Sequence, residues 1–187
     1  MEQRSKISED QHRELRRVFG TFGTGVTVVT SRWPDGRPIG VTANSFTSVS
    51  LDPPIVVWSL QARSPTLDAF LSCGHFVINV LALEQSDLSR RFARPAEDKF
   101  EGVDWHLSDA GVPILEGCAA TIECSLHQSL AVGDHVMLLG SVERHARRDT
   151  EPLIYCRGSY SQAVELSATA CTTGSAPTIE TVARREC

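Results

Sequence analysis

The residue types best suited to chemistry stand in the run GVTANSFTSVSLDPP, residues 40–54. There five hydroxyls (Thr42, Ser45, Thr47, Ser48 and Ser50) and the Asn44 amide interrupt what otherwise reads as β-strand. Such a strand is too polar merely to fill a core. Hydroxyls, an amide and backbone N–H groups at Thr42, Ala43, Asn44 and Ser45 suit the donor-and-acceptor edge of a flat ring system. Composition alone favours a plainer reading, a half-exposed strand with Ser and Thr on its solvent face. The other candidates also have plain readings. Ser64 before Pro65 is a helix cap, Phe92-Ala93-Arg94 a surface turn after a helix, and Arg157-Gly158-Ser159-Tyr160 a strand end closed by a core tyrosine. His135, one of six histidines, heads a strand, where a lone histidine is more often structural.

These positions need elements to hold them. Leu15, Val18, Phe19 and Phe22 recur at helical spacing, so residues 7–22 are predicted as an amphipathic helix covering a sheet, with Ser8 and Gln11 as its capping box and Gly20 and Gly23 at its left-handed exit. Four strands fit between residues 25 and 60: GVTVVTS and IGVTANSF around a Pro-Asp-Gly turn, then FTSVSL and IVVWSL around Asp52-Pro53-Pro54. Ser64-Pro65 opens a helix over 66–71, HFVINVL is a fifth strand, and 84–92 is a helix stopped by Pro95. Residues 96–115 read as irregular. Strands at 119–127 and 135–144 flank Gly133-Asp134, and a short one at 153–157 precedes Gly158. About seven short strands with hairpin connections predict a mainly β antiparallel barrel with a few flanking helices.

The chain of 187 residues is 41% hydrophobic, enough for one core, so a single domain is expected over 1–165, with 166–187 as a flexible tail or an arm on a neighbour. A formal net charge of −5 from mixed signs argues against nucleic acid or an anionic membrane as partner. No stretch approaches the roughly 20 apolar residues of a membrane span, and the polar N-terminus lacks signal-peptide character, so a soluble cytoplasmic protein is expected. Six cysteines without CxxC spacing read as reduced apolar fillers, and no metal is expected. Neither GxGxxG nor GxxxxGK[ST] occurs, so a dinucleotide, if bound, is not held in the Rossmann or P-loop manner.

The order of pieces adds what composition does not. VTANSFTSVSLDPP, VVWSLQARSPTLDAF, HFVINVLALEQSDLSRRFA, KFEGVDW, GDHVMLLGSV and YCRGSYS resemble the flavin-reductase-like, FMN-binding split-barrel family from about Phe19 to Ser161. The resemblance implies a Greek-key split barrel and a flavin. It places Thr42, Ala43, Asn44 and Ser45 along the isoalloxazine edge, and Ser59, Leu60 and Gln61 beside the ring and ribityl chain. It puts the flavin phosphate at Arg63 and Ser64, where a cation adjoins a helix N-terminus, and the remaining phosphate or an adenine at Phe92, Ala93 and Arg94. His135 and the segment Arg157, Gly158, Ser159, Tyr160 fall at the nicotinamide, His135 as an aligning group, with no residue acting as a nucleophile.

The implied activity is an NADH-dependent flavin reductase that reduces FAD by hydride transfer and supplies it to a separate monooxygenase, in aromatic catabolism or natural-product biosynthesis. FMN and NADPH stay open as the cofactors, and family members of this kind are usually homodimers. Alternatives are an electron-transfer or oxidase flavoprotein that retains its flavin, a flavin-binding module without turnover, and an oxidase of pyridoxine phosphate.

Overall fold

A computed structural model of the chain describes residues 8–166. Helix α1 (Glu9–Phe19) starts on the expected capping box: Gln11 N–H donates to Ser8 Oγ, and Ser8 N–H to the Gln11 side chain. Two expectations for it fail. Gly20 caps it in the right-handed region, at φ −65°, and the helix buries none of its residues. Leu15, Val18 and Phe19 face outward, as does Phe22 beyond the helix, so α1 covers no sheet.

The strands follow as β1 (Thr24–Gly25), β2 (Thr27–Arg32), β3 (Pro38–Ala43), β4 (Thr47–Leu51) and β5 (Pro54–Gln61). Helix α2 (Leu67–Cys73) leads to β6 (His75–Val80), and a 3-10 turn at Leu83–Gln85 leads to α3 (Ser86–Ala93). Then come β7 (Trp105–Leu107), β8 (Pro113–Leu115), β9 (Ala120–Val132), β10 (His135–Arg147), β11 (Leu153–Cys156) and β12 (Ser159–Gln162). Residues 96–115 are therefore not wholly irregular. They hold the β7–β8 hairpin, whose Ile114 and Leu115 are buried. Strands β9 and β10 outrun their predicted ends and are joined by the two-residue turn Gly133-Asp134, with Gly133 at φ 60°.

The fold is an antiparallel split barrel. Seven strands pair in the order β3-β2-β6-β9-β10-β5-β4, and β1-β11-β12 form a second, smaller sheet. Alternation sets the faces. Val56, Trp58 and Leu60 of β5 turn inward to a core with Val29, Phe70, Phe76, Ile78 and Leu138, while Ser59 and Gln61 fall on the opposite face. Phe70 and Phe76 meet Trp58 edge-on at 4.9 and 5.9 Å between ring centroids. Buried Asn79 on β6 donates to Val28 O on β2 and accepts from Leu115 N–H on β8, tying the β7–β8 hairpin to the barrel. Cys118 and Cys124 are buried, and burial pushes both thiols up to about 12, so they stay protonated. Cys171 and Cys187, and the tail predicted from 166 on save its first residue, lie outside the described residues.

Candidate functional site

The site forms where the sheet is split, between β3 and β5. Ser45, just past the end of β3, donates through Oγ to Ser59 O at 3.1 Å and accepts from Ser59 N–H at 2.9 Å. A single hydroxyl so pins the TANS segment to the strand SLQ, leaving Asn44 and Ser45 exposed along the seam. On the other side Thr27 Oγ1 donates to Ala43 O at 2.7 Å, and Thr42 Oγ1 donates to Ser89 O on α3 at 2.6 Å. Thr42 is thus a fastening of β3 to α3, and the exposed side-chain amide of this segment is that of Asn44. Leu60 points into the core, and the β5–β10 register turns its backbone toward Val136 rather than the groove.

Further along β5, Gln61 stands opposite His135 in the β5–β10 register, and Ala62 N–H donates to Asp134 O at 2.9 Å. Arg63 Nε donates to Gln61 Oε1 at 3.3 Å. His135 Nδ1 lies 2.7 Å from Asp134 Oδ1. That hydrogen bond, with the charges of His135 and Arg63, holds the exposed Asp134 carboxyl below its ordinary value. The fold therefore gathers Gln61, Arg63 and His135 at one end of the seam.

Two expectations need correction here. Ser64 does not cap α2: the cap is Thr66, and Ser64 instead sits in the preceding turn, its Oγ 3.0 Å from Thr66 Oγ1. No side chain caps this helix. The backbone of a seven-residue helix behind that turn is a weaker anion site than the sequence implied. Phe92 is no exposed stacking ring either. It is 1% exposed and meets Phe100 edge-on at 5.0 Å. It also lies so close to Gly40 that a Cβ there would stand 2.5 Å from the ring. Ala93 and Arg94 after it are exposed.

Lys99, missed as a site residue, lies beside Phe92. Its Nζ donates to Phe92 O at 2.9 Å and to Gly40 O at 3.3 Å, and burial lowers its pKa from the ordinary 10.5. Among the described residues it makes no ion pair. It lines a cavity of about 320 Å³ together with Trp33, Arg37, Gly40, Thr66, Glu97 and Asp98. A half-buried ammonium answered only by carbonyls fits a phosphate of a bound flavin. The signal available was its place at the head of KFEGVDW, a piece read only for resemblance.

The remaining candidates divide. Arg157 and Gly158 form the two-residue turn of the β11–β12 hairpin with φ of 51° and 81°, and the turn docks on α1 through Arg157 N–H to Gly20 O at 2.6 Å. Arg157, Gly158 and Ser159 are exposed. Tyr160 is partly buried: its hydroxyl lies 2.8 Å from Ser89 Oγ, and Tyr155 meets its ring edge-on at 5.5 Å. No bond among the described residues joins His135 to Tyr160. The first belongs with Gln61, the second, through Ser89, with Thr42.

A small antiparallel barrel, split along a groove with a polar edge, defines the class. Residues 19–163 match the flavin reductase like domain family, and the chain belongs to that family. It is 45% identical to the reductase component of a flavin-dependent trigonelline monooxygenase of Acinetobacter baylyi over 79% of this chain and 48% of the relative. It is 44% identical to the FMN reductase (NADH) SmoA of Agrobacterium fabrum over 82% of this chain and 87% of the relative. A structure of the NADH:FAD oxidoreductase SgcE6 of Streptomyces globisporus in complex with NAD and FAD fragments superposes with a TM-score of 0.78 at 35% identity, covering 89% of this chain and 99% of that one. The chain spans about half the length of some curated relatives it matches, 48% in two cases.

Proposed function

We propose that this protein reduces a free flavin with reduced nicotinamide dinucleotide and releases the product to a separate monooxygenase. The observation that carries the reading is the seam itself, where Ser45 pins TANS to SLQ and leaves the Asn44 amide exposed along it. When bound, flavin supplies the hydride-accepting ring. The chain's own residues bind and orient: Asn44 faces the ring edge, the Ser45–Ser59 pair fixes the segment that carries it, Lys99 with Arg63 and Thr66 holds phosphate, and His135 aligns the nicotinamide. No acid–base pair is required, because alignment of two flat rings and exclusion of water suffice. NADH with FAD is the preferred pairing, in keeping with SgcE6, and FMN is the second flavin, in keeping with SmoA.

A homodimer is part of this reading. Across β5, β10 and β9 the register sets Ser59 beside Met137 and Leu130, and Gln61 beside His135 and Val132. Leu130 and Val132 are 51% and 47% exposed, so an apolar flank adjoins the site on one sheet face. A second copy covering it completes the groove. No helix among the described residues is long and apolar enough to cross a membrane. The thiols of Cys73, Cys118, Cys124 and Cys156 are unbridged, which agrees with a cytoplasmic place for the reaction.

The test is anaerobic mixing of the protein with NADH or NADPH and FAD or FMN while the flavin absorbance is followed. Rapid bleaching is expected, fastest with NADH, and gel filtration is expected to strip the flavin. Absence of bleaching in all four combinations sinks the reading, whereas flavin retained through the column makes the protein a holder of flavin rather than a supplier.

A further inference from the structure

Ser89 is a buried polar residue that sits on a helix; the others, Thr27, Thr30, Ser31 and Asn79, lie on strands. It is fully buried, and alanine is the better helix former at such a position, so a hydroxyl there destabilises α3 unless its bond is used. Both of its polar groups are used. Its carbonyl accepts from Thr42 Oγ1 at 2.6 Å and its Oγ accepts from Tyr160 OH at 2.8 Å. The first partner belongs to the seven-stranded sheet and the second to the small one, so one residue fastens the two sheets beside the seam. The next residue of the helix, Arg90, lays its guanidinium over the Tyr160 ring at 5.1 Å and is braced by Asp87 at 2.8 Å. With its hydroxyl tied, its ring against Tyr155 and one face under Arg90, Tyr160 has little freedom left.

We propose that Ser89 is a positioning residue: it holds Tyr160 next to Thr42, so that the tyrosine is a fixed wall for the nicotinamide at the flavin edge. The inference rests on the flavin-reductase reading and adds to it the residue that sets the wall. It explains a serine where packing alone favours alanine, and it explains how a tyrosine with one face already occupied still serves the site. Tyr160 acts as a rigid boundary and not as a mobile lid.

The test is a double-mutant cycle read by equilibrium binding without turnover, using wild type, Ser89→Ala, Tyr160→Phe and the double variant. Flavin affinity is measured by fluorescence quenching, and oxidised NAD is then titrated against the flavin-loaded protein. Ser89→Ala keeps the carbonyl that holds Thr42, so flavin affinity is expected to stay within about twofold. Each single variant is expected to weaken NAD binding by about threefold to tenfold, the range of one neutral hydrogen bond, and the double variant no further than the worse single. Losses that multiply in the double variant overturn the proposal. So do unchanged NAD affinity in the single variants, or equal losses of flavin and NAD. If Ser89→Ala fails to fold, Tyr160→Phe decides alone, and unchanged NAD affinity overturns the proposal. A wild type that binds both cofactors but bleaches no flavin with NADH defeats the reductase reading while the cycle still judges Ser89. A wild type with no NAD affinity defeats both.

Discussion

Ser45 and Lys99 separate two kinds of binding at the seam. Ser45 exchanges two hydrogen bonds with the backbone of Ser59, and Ser45→Ala removes both while leaving the strands in place. The expected result is a loss of flavin affinity of about tenfold, seen by fluorescence titration, since up to two bonds of modest net strength hold the seam closed. Lys99 acts through charge. Lys99→Met is expected to weaken FMN binding by about tenfold or more and leave riboflavin, which lacks the phosphate, unaffected. Equal losses for the two flavins remove Lys99 from the phosphate site. The same residue predicts a pH effect. Burial holds its pKa below 10.5, so between the lowered value and 10.5 the unfolded chain carries more protons than the folded one. Stability of the ligand-free protein therefore gains a rising component with pH across that window, and Lys99→Met flattens it in denaturation curves taken at stepped pH.

The elements show where local sequence is a sufficient guide and where it is not. The capping box of α1, the β2–β3 hairpin and the turn at Gly133-Asp134 were legible, because each depends on residues a few positions apart. What α1 covers was not legible. Its apolar stripe has the spacing of a core-facing helix, but within the described chain that stripe faces outward. Ser64 misled for a local reason: its hydroxyl found Thr66 rather than the helix N–H groups, shifting the cap by two residues. At Gly140 on β10 a Cβ would stand 2.5 Å from Phe76 Cζ and 2.9 Å from Cys124 Cβ. Gly140→Ala is therefore expected to destabilise the barrel by about 1–3 kcal/mol in urea unfolding, with the flavin affinity of the folded fraction retained. A neutral outcome means that Phe76 and Cys124 yield to the added methyl.

At the scale of the molecule the feature of consequence is the apolar flank that a second copy would cover. Leu130 lies on the sheet face of Ser59 and His135, so its exposure bears on the site as well as on solubility. Leu130→Glu is expected to give a monomer in analytical ultracentrifugation and to lower reductase activity, because the flank that closes the groove is then repelled. A wild type that sediments as a monomer at working concentration removes the homodimer from the reading.

The strands, their turns, the polar run at 42–45 and the order of the family's pieces were determined by sequence alone. Hydrophobic period, turn chemistry and a capping box are short-range properties written in adjacent residues. Only the tertiary structure decided that Ser45 closes on Ser59, that Phe92 is spent on packing against Gly40, that Lys99 reaches the carbonyls of Phe92 and Gly40, and that Ser89 links Thr42 to Tyr160. The second and the last of these join residues of different elements, whereas Ser45 and Lys99 reach from loops onto the elements beside them. Such meetings depend on sheet register and on which strands the split leaves apart, and no periodicity along the chain encodes them.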